Sequence, residues 1–115
     1  MNRIEERFEK LRKEERKAFI PFLTAGDPDL ETTKALVLEL EKRGSDIIEL
    51  GVPFSDPLAD GPVIQRSSRR ALNNGISLDK VLDLVANLRQ KTQIPLILMG
   101  YYNPIFKFGE EKFIE

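Results

Sequence analysis

Residues 46–52 read DIIELGV and predict a short β-strand that is buried on both faces. A single carboxylate, Glu49, interrupts the apolar run. Strand alternation places Ile47, Glu49 and Gly51 on one face and Ile48 and Leu50 on the other. A charged side chain inside such a strand needs a physical reason, because burying an unpaired charge is costly.

Two more apolar runs resemble this one, at residues 18–24 (AFIPFLT) and 94–100 (IPLILMG). Pro21 predicts an irregularity in the first of them, because proline cannot donate to a strand ladder. Helical spacing and helix end signals separate the strands. Helices are predicted around Ile4, Phe8 and Leu11, from Asp29 to Gly44, from about Val63 to Asn73, after the cap residue Ser77, and from Ile105 or Glu110, with a loop over residues 101–104.

Strands that alternate with helices predict an α/β fold with parallel strands and right-handed crossovers. Periodicity does not choose between an open sheet and a barrel. The first strand lacks a following G-x-G-x-x-G, and no P-loop occurs, which disfavours the nucleotide-binding sheets. Residues 111–115 (EKFIE) stop inside a helical pattern without a Gly, Asn or Pro terminator. We therefore expect residues 1–115 to form one incomplete domain that is truncated at its C-terminus.

The composition excludes several classes of function. Eighteen Lys and Arg against nineteen Asp and Glu give a net charge of −1, so neither nucleic acid nor an anionic membrane is an indicated partner. The absence of Cys and His excludes disulfides, thiolate zinc sites and histidine acid–base chemistry, and no cluster has the spacing of a metal site. No apolar run approaches the roughly 18 residues of a membrane span, and no signal peptide is evident, so a cytoplasmic protein is predicted.

Glu49 is the most informative candidate for chemistry. If helices cover the face that carries Ile48 and Leu50, Glu49 points into a barrel near its C-terminal mouth, where active sites of that architecture lie. A carboxyl group there can take part in proton transfer. The alternative is a Glu paired with a structural Arg or Lys elsewhere in the barrel.

The loop at residues 53–62 (PFSDPLADGP) follows the same strand, so Asp60 belongs to the same mouth. Asp60 is either a second functional carboxylate or the cap of the helix that starts near Val63. Three prolines stiffen this loop, and its apolar residues Phe54 and Leu58 either position a ligand or partner or fold back onto the domain.

Three further residues lie near the predicted mouth. Phe22 and Tyr101 either face the pocket or belong to the core. Thr24, at the end of the first strand, is predicted to hydrogen-bond a loop carboxylate such as Asp60 or to cap the turn.

Two segments, residues 18–28 (AFIPFLTAGDP) and 48–62 (IELGVPFSDPLADGP), resemble the signature blocks of the tryptophan synthase α subunit. The similarity extends through Ile64 and Gln65, and residues 99–104 (MGYYNP) follow the order expected for the family. The resemblance covers the whole chain, which is under half of a complete barrel of about 250 residues. It implies the N-terminal part of a (β/α)₈ TIM barrel, with about three parallel strands and their covering helices.

The family resemblance also implies a lyase of tryptophan biosynthesis. Its reaction is the retro-aldol cleavage of indole-3-glycerol phosphate to indole and glyceraldehyde 3-phosphate, without a cofactor in this subunit. Glu49 matches the family's acid–base residue, which protonates the indole carbon whose bond to the side chain breaks. Asp60 matches the second catalytic carboxylate, which interacts with the indole N–H and stabilises positive charge on the ring.

The remaining matches concern the substrate and a partner. Phe22, Ile64 and Tyr101 match positions that line the indole pocket. The partner implied is the β subunit of an α₂β₂ assembly, which holds pyridoxal phosphate. The residues matched to the surface facing that subunit are Asp56, Pro57, Leu58 and Asn103.

The resemblance places the phosphate-binding loops after the seventh and eighth strands, beyond Glu115. We therefore expect the 115-residue chain alone to be nearly inactive, and to self-associate or be partly disordered because its strand edges are unpaired. Two alternatives stay open: a non-catalytic part-barrel that acts as a folding or self-association module, and a stand-alone relative that releases indole without a β subunit.

Overall fold

The computed structural model describes all 115 residues, which form six helices and three strands. No helix combines the length and the apolarity that a membrane crossing requires. The elements are α1 (Arg3–Lys13), β1 (Phe22–Thr24), α2 (Leu30–Lys42), β2 (Ile48–Gly51), α3 (Pro62–Asn73), α4 (Leu78–Arg89), β3 (Leu96–Met99), α5 (Tyr102–Phe108) and α6 (Glu110–Ile114).

The three strands form one parallel sheet in the order β1-β2-β3, which confirms the predicted α/β class. In the register of this sheet, Phe22 on β1 and Ile97 on β3 lie opposite Glu49 on β2. Residues at the same height in a parallel sheet point to the same face. One face of the sheet therefore carries the row formed by Phe22, Glu49 and Ile97.

The opposite face of the sheet carries the main core. Ile48 and Leu50 are fully buried there, against Val37 of α2 and Leu84 and Leu88 of α4. Full burial of each such side chain stabilises the fold by about 1.5–3 kcal/mol. Helices α2 and α4 thus cover the Ile48 and Leu50 face, as predicted, and Glu49 lies half-buried on the other face.

The strands are shorter than the sequence predicts, and β1 shows the reason. The strand begins only after Pro21, whose carbonyl accepts a hydrogen bond from the Glu49 amide (3.0 Å). Proline has no N–H to donate in return, so the ladder starts at Phe22. The irregularity predicted at Pro21 is therefore the start of the strand itself.

The prediction of a loop over residues 101–104 is wrong, because α5 already begins at Tyr102. Pro104 lies in the first turn of this helix. Amides of the first turn have no partner within a helix, so proline is tolerated there.

Helix starts were otherwise well predicted. Asp29 caps α2, and its carboxylate accepts a bond from the Thr32 amide (2.7 Å). Ser77 is the N-cap residue of α4, but its hydroxyl makes no capping bond. The helix predicted from Val63 begins one residue earlier, at Pro62, and Gly61 is its N-cap residue.

A buried carboxylate at the start of β2 ties the N-terminal segment to the sheet. Asp46 is only 1% exposed and accepts bonds from the Phe19 amide (2.9 Å) and from Nη2 of Arg16 (2.9 Å). Burial opposes ionisation, but the Phe19 amide and Arg16 outweigh it and hold the pKa of Asp46 below its usual range. This contact stabilises the fold whenever Asp46 is ionised.

Asp46→Asn is expected to lower the free energy of unfolding by about 1.5–3 kcal/mol at neutral pH, because hydrogen bonds to a charged group are lost. Folding lowers the pKa of Asp46, so its contribution is complete above the unfolded value of about 4 and disappears as the pH falls below it. Urea unfolding followed by circular dichroism at one protein concentration measures the difference. Asp83→Asn, at an exposed residue whose carboxylate has no partner, is the control. Equal loss in both variants would contradict this role for Asp46.

Candidate active site

The carboxyl ends of the three strands surround a small cavity of about 20 Å³, with room for roughly one water molecule. Six candidate residues of the sequence analysis lie on its wall: Phe22, Thr24, Phe54, Asp60, Ile64 and Tyr101. A ligand of indole size has to displace one of the aromatic side chains or use the open sheet face beside the cavity. The structure thus brings the three residues expected to line an indole pocket together with one of the two candidate carboxylates.

Gly51 lines this cavity, and the Phe22 ring lies directly over it. A Cβ atom at Gly51 would meet Cζ of Phe22 at 2.5 Å, closer than real Cβ contacts allow. The absence of a side chain at position 51 therefore lets an aromatic ring approach the strand backbone.

Glu49 lies two residues before Gly51 on the same face, about 6.6 Å lower along the strand. It is half-buried between Phe22 and Ile97, and its carboxylate has no hydrogen bond and no ion pair within the 115 residues. The Arg or Lys partner of the alternative interpretation is therefore not found among the residues of this chain. The carboxylate is left available to a ligand above the sheet.

Asp60 is held at the rim of the cavity by Tyr101 rather than used as a helix cap. The Tyr101 hydroxyl donates to Oδ2 of Asp60 (3.0 Å), and Nε2 of Gln65 donates to the Asp60 carbonyl (2.8 Å). The cap position of α3 belongs to Gly61, without any side-chain bond. The capping alternative for Asp60 is thereby wrong.

Tyr101 fixes the loop between β2 and α3 from the side of β3. Besides donating to Asp60, its oxygen accepts a bond from the Ala59 amide (2.9 Å), and its ring stacks on Phe54 with centroids 5.1 Å apart. Burial raises the pKa of the Tyr101 phenol, and the hydrogen bond to Asp60 raises it further. The phenol therefore stays protonated at neutral pH and remains a donor to Asp60.

Sequence reasoning missed this tether, because no local pattern links Tyr101 to a loop about 40 residues earlier. It also misassigned Thr24. The Thr24 hydroxyl pairs with the Ser67 hydroxyl (2.7 Å) on α3, neither with Asp60 nor with its own turn.

The loop's two apolar residues behave differently. Phe54 folds back onto Tyr101, whereas Leu58 is 92% exposed. The residues matched to a partner surface, Asp56, Pro57, Leu58 and Asn103, are exposed or half-buried on the outside of the mouth. Asn103 lines an outer groove of about 500 Å³ together with Phe54 and Ser55.

Comparison with known proteins identifies the family. Residues 8–115 match the family model described as tryptophan synthase alpha chain. This chain belongs to the tryptophan synthase α chain family. The α chain of Geotalea daltonii is 62% identical over 114 residues, which are 99% of this chain and 43% of that protein. The α chain of Caldanaerobacter subterraneus subsp. tengcongensis is 58% identical, over 100% of this chain and 44% of that protein. The chain thus spans under half the length of these curated relatives.

Solved α chains have the same fold. The tryptophan synthase subunit alpha of Legionella pneumophila superimposes with a TM-score of 0.96 at 48% identity, over 98% of this chain and 44% of that one. A tryptophan synthase from Mycobacterium tuberculosis in an aminoacrylate-bound form gives 0.90 at 34% identity, over 98% of this chain and 46% of that one. Because its relatives are TIM barrels, this α chain is a partial (β/α)₈ barrel, as predicted.

Proposed function

We propose that the protein containing these residues cleaves indole-3-glycerol phosphate to indole and glyceraldehyde 3-phosphate. The observation that carries the proposal is Glu49, an unpaired carboxylate on the sheet face opposite α2 and α4. The second carboxylate, Asp60, lines the cavity at the carboxyl ends of the strands, which Glu49 does not itself line. Membership in the α chain family supports the choice of substrate.

The two carboxylates have different tasks in this reaction. Glu49 gives a proton to the ring carbon that carries the side chain, and positive charge develops on the ring nitrogen. Asp60 accepts a hydrogen bond from the ring N–H and stabilises that charge. The carbon–carbon bond then breaks and its electron pair returns to the ring, while the side-chain hydroxyl gives its proton to the Glu49 carboxylate as the aldehyde forms, which restores the acid. One proton is gained and one is lost, so the reaction is neutral overall.

The pocket walls suit an indole ring. Phe22 and Tyr101 offer aromatic faces, and Ile64 offers an apolar side chain opposite them. The Phe22 ring already occupies the space over Gly51, so the indole ring would lie against Phe22 on the Glu49 face of the sheet. The proposed chemistry uses acid–base groups of the chain itself and requires no cofactor bound to this subunit.

The proposed partner is a β subunit that holds pyridoxal phosphate, in an α₂β₂ assembly. A solved relative from Pyrococcus furiosus, 46% identical, is described as a tryptophan synthase complex. The exposed Leu58, beside Asp56 and Pro57, offers an apolar contact to such a partner. Asn103 extends this surface to the start of α5.

The test uses a hybrid α chain, in which residues 1–115 replace the corresponding N-terminal residues of the Geotalea daltonii α chain. We expect the hybrid to release indole from indole-3-glycerol phosphate, and β subunit to stimulate it. An inactive but folded hybrid, with the parental α chain active beside it, would refute the proposal. Equal activity with and without β subunit would favour a stand-alone indole-releasing enzyme instead.

A second candidate function, self-association, is favoured by the sheet edges. β1 and β3 each pair on one side only, and Met99 on the Glu49 face is 44% exposed. Unpaired parallel edges and open apolar surface promote association with another chain.

We expect the 115-residue chain alone to increase in apparent mass with concentration, as measured by sedimentation velocity over a hundredfold concentration range. The hybrid chain, which supplies the remaining strands, is the control and should not change. A sharp, concentration-independent melt of a monomeric 115-residue chain would contradict the expectation.

A further inference from the structure

We propose that Arg70 is a positioning residue for the reaction: its ion pair with Asp27 holds α3 so that Asp60 and Ile64 stay at the cavity. Arg70 reaches no ligand site itself and acts through this helix. The proposal rests on the proposed function.

Three polar contacts join α3 to β1 and the loop that follows it. The Thr24 hydroxyl pairs with Ser67 in the middle of the helix (2.7 Å). In the last turn, Nε and Nη2 of Arg70 donate to the two carboxylate oxygens of Asp27 (2.8 and 2.9 Å). At the end, the side-chain amide of Asn74 donates to the Pro28 carbonyl.

These contacts lie on one side of α3, and the cavity lies on another. Ser67, Arg70 and Asn74 follow the i, i+3, i+7 spacing of a single helix face. Ile64 and Ser68, at i and i+4, line the cavity. The helix is therefore fixed along one side and presents its pocket wall on a different side.

Limited apolar burial and polar contacts together hold α3 in place. The buried residues of the helix are Ser67, Ser68 and Ala71, all of them small, and Ala71 packs in a core cluster with Ile76 and Val81. Ile64 and Leu72 are half-buried, and Val63 is 65% exposed. The polar contacts therefore add to the position of α3, and the Arg70–Asp27 pair is the only one of the three with two bonds and opposite charges.

A shift of α3 also displaces Asp60, the candidate catalytic carboxylate. Asp60 precedes the first helical residue by two positions, and Nε2 of Gln65 in the first turn donates to the Asp60 carbonyl (2.8 Å). A shift of about 1 Å at a reacting group can lower the rate a hundredfold. Charge stabilisation by Asp60 acts mainly in the transition state, so kcat is expected to fall more than KM rises.

The chain offers a matched control for Arg70. Arg69 is the preceding residue on α3, is exposed, and has no hydrogen bond or ion pair in the structure. In the hybrid chain, Arg70→Ala is expected to lower kcat by roughly 10–100-fold with KM within about threefold, whereas Arg69→Ala leaves both within about twofold. Arg70→Lys keeps the positive charge but cannot make both hydrogen bonds, so its kcat should lie between those of Arg70→Ala and Arg69→Ala.

Two further measurements separate positioning from a general loss of structure. If Arg70 acts through Asp60, then Arg70→Ala causes little further loss of kcat once Asp60→Asn is present. If its effect is purely structural, the fold-losses of kcat in the two single variants multiply in the double variant. Hydrogen exchange of residues 60–68 is expected to accelerate in Arg70→Ala and not in Arg69→Ala.

The outcomes distinguish this proposal from the proposed function. An inactive parent hybrid whose Arg70→Ala variant still loosens residues 60–68 would overturn the proposed function and with it the role of Arg70 in the reaction, and would show only that Arg70 anchors α3. An active hybrid in which Arg70→Ala matches Arg69→Ala in kcat and in exchange would overturn the role of Arg70. So would a loss of kcat that is fully multiplicative with Asp60→Asn.

Discussion

Glu49→Gln in the hybrid α chain is expected to reduce indole release from indole-3-glycerol phosphate by about 10²–10⁴-fold, the usual contribution of a positioned general acid. Glutamine has nearly the same size and keeps the strand geometry, but it has no acidic proton to give. The fall should appear in kcat, with KM little changed, because the proton is transferred only as the transition state forms. Steady-state indole release at saturating substrate measures it.

Glu41→Gln is the matched control for this variant. Glu41 is half-buried like Glu49 but lies on α2, one of the helices that cover the opposite face of the sheet. Its replacement should leave kcat within about twofold, as is usual for surface changes away from the site. A Glu49→Gln variant as active as Glu41→Gln would remove the acid from the proposed mechanism.

Asp60→Asn is expected to lower kcat by about 10²–10³-fold, comparable to the removal of one electrostatic stabiliser from an active site. The amide oxygen of asparagine can still accept the bond from the Tyr101 hydroxyl, so the loop should keep its position. The lost quantity is the negative charge beside the ring nitrogen. Stopped-flow measurement of a single turnover isolates this step from product release.

Asp56→Asn tests whether the effect is specific. Asp56 lies in the same loop and is exposed, and its carboxylate accepts a bond only from the neighbouring Ser55 hydroxyl (2.7 Å). Without β subunit it should behave like the parent hybrid. A comparable loss in Asp56→Asn and Asp60→Asn would point to general disturbance of the loop instead of charge stabilisation by Asp60.

The sequence predicted the face of Glu49 correctly because that face follows from two local rules. Side chains alternate along a strand, and the helices of an α/β fold cover the apolar face of the sheet. Ile48 and Leu50 meet those helices in the core, which leaves Glu49 on the other side. The resemblance to the family's signature blocks predicted that Asp60 and Ile64 lie at the same mouth, and both residues line the cavity there.

The contacts that the sequence did not predict join residues far apart in the chain. Thr24 with Ser67, Asp27 with Arg70, and Tyr101 with Asp60 are separated by 43, 43 and 41 positions. Local propensity contains no information about such pairs, since they depend on how α3 packs over β1. The misplaced loop at residues 101–104 has a different cause: Pro104 suggested a turn, although proline also suits the first turn of a helix.

The most direct test of the central claim is the distance between the residue 49 side chain and the reacting carbon. It can be read from a crystal structure of the Glu49→Gln hybrid with indole-3-glycerol phosphate bound. We predict the indole ring against Phe22 on the Glu49 face of the sheet, with its substituted ring carbon about 3–3.5 Å from the side-chain amide at position 49, as a near-attack geometry requires. A ring bound in the outer groove beside Asn103, or on the helix-covered side of the sheet, would contradict the account.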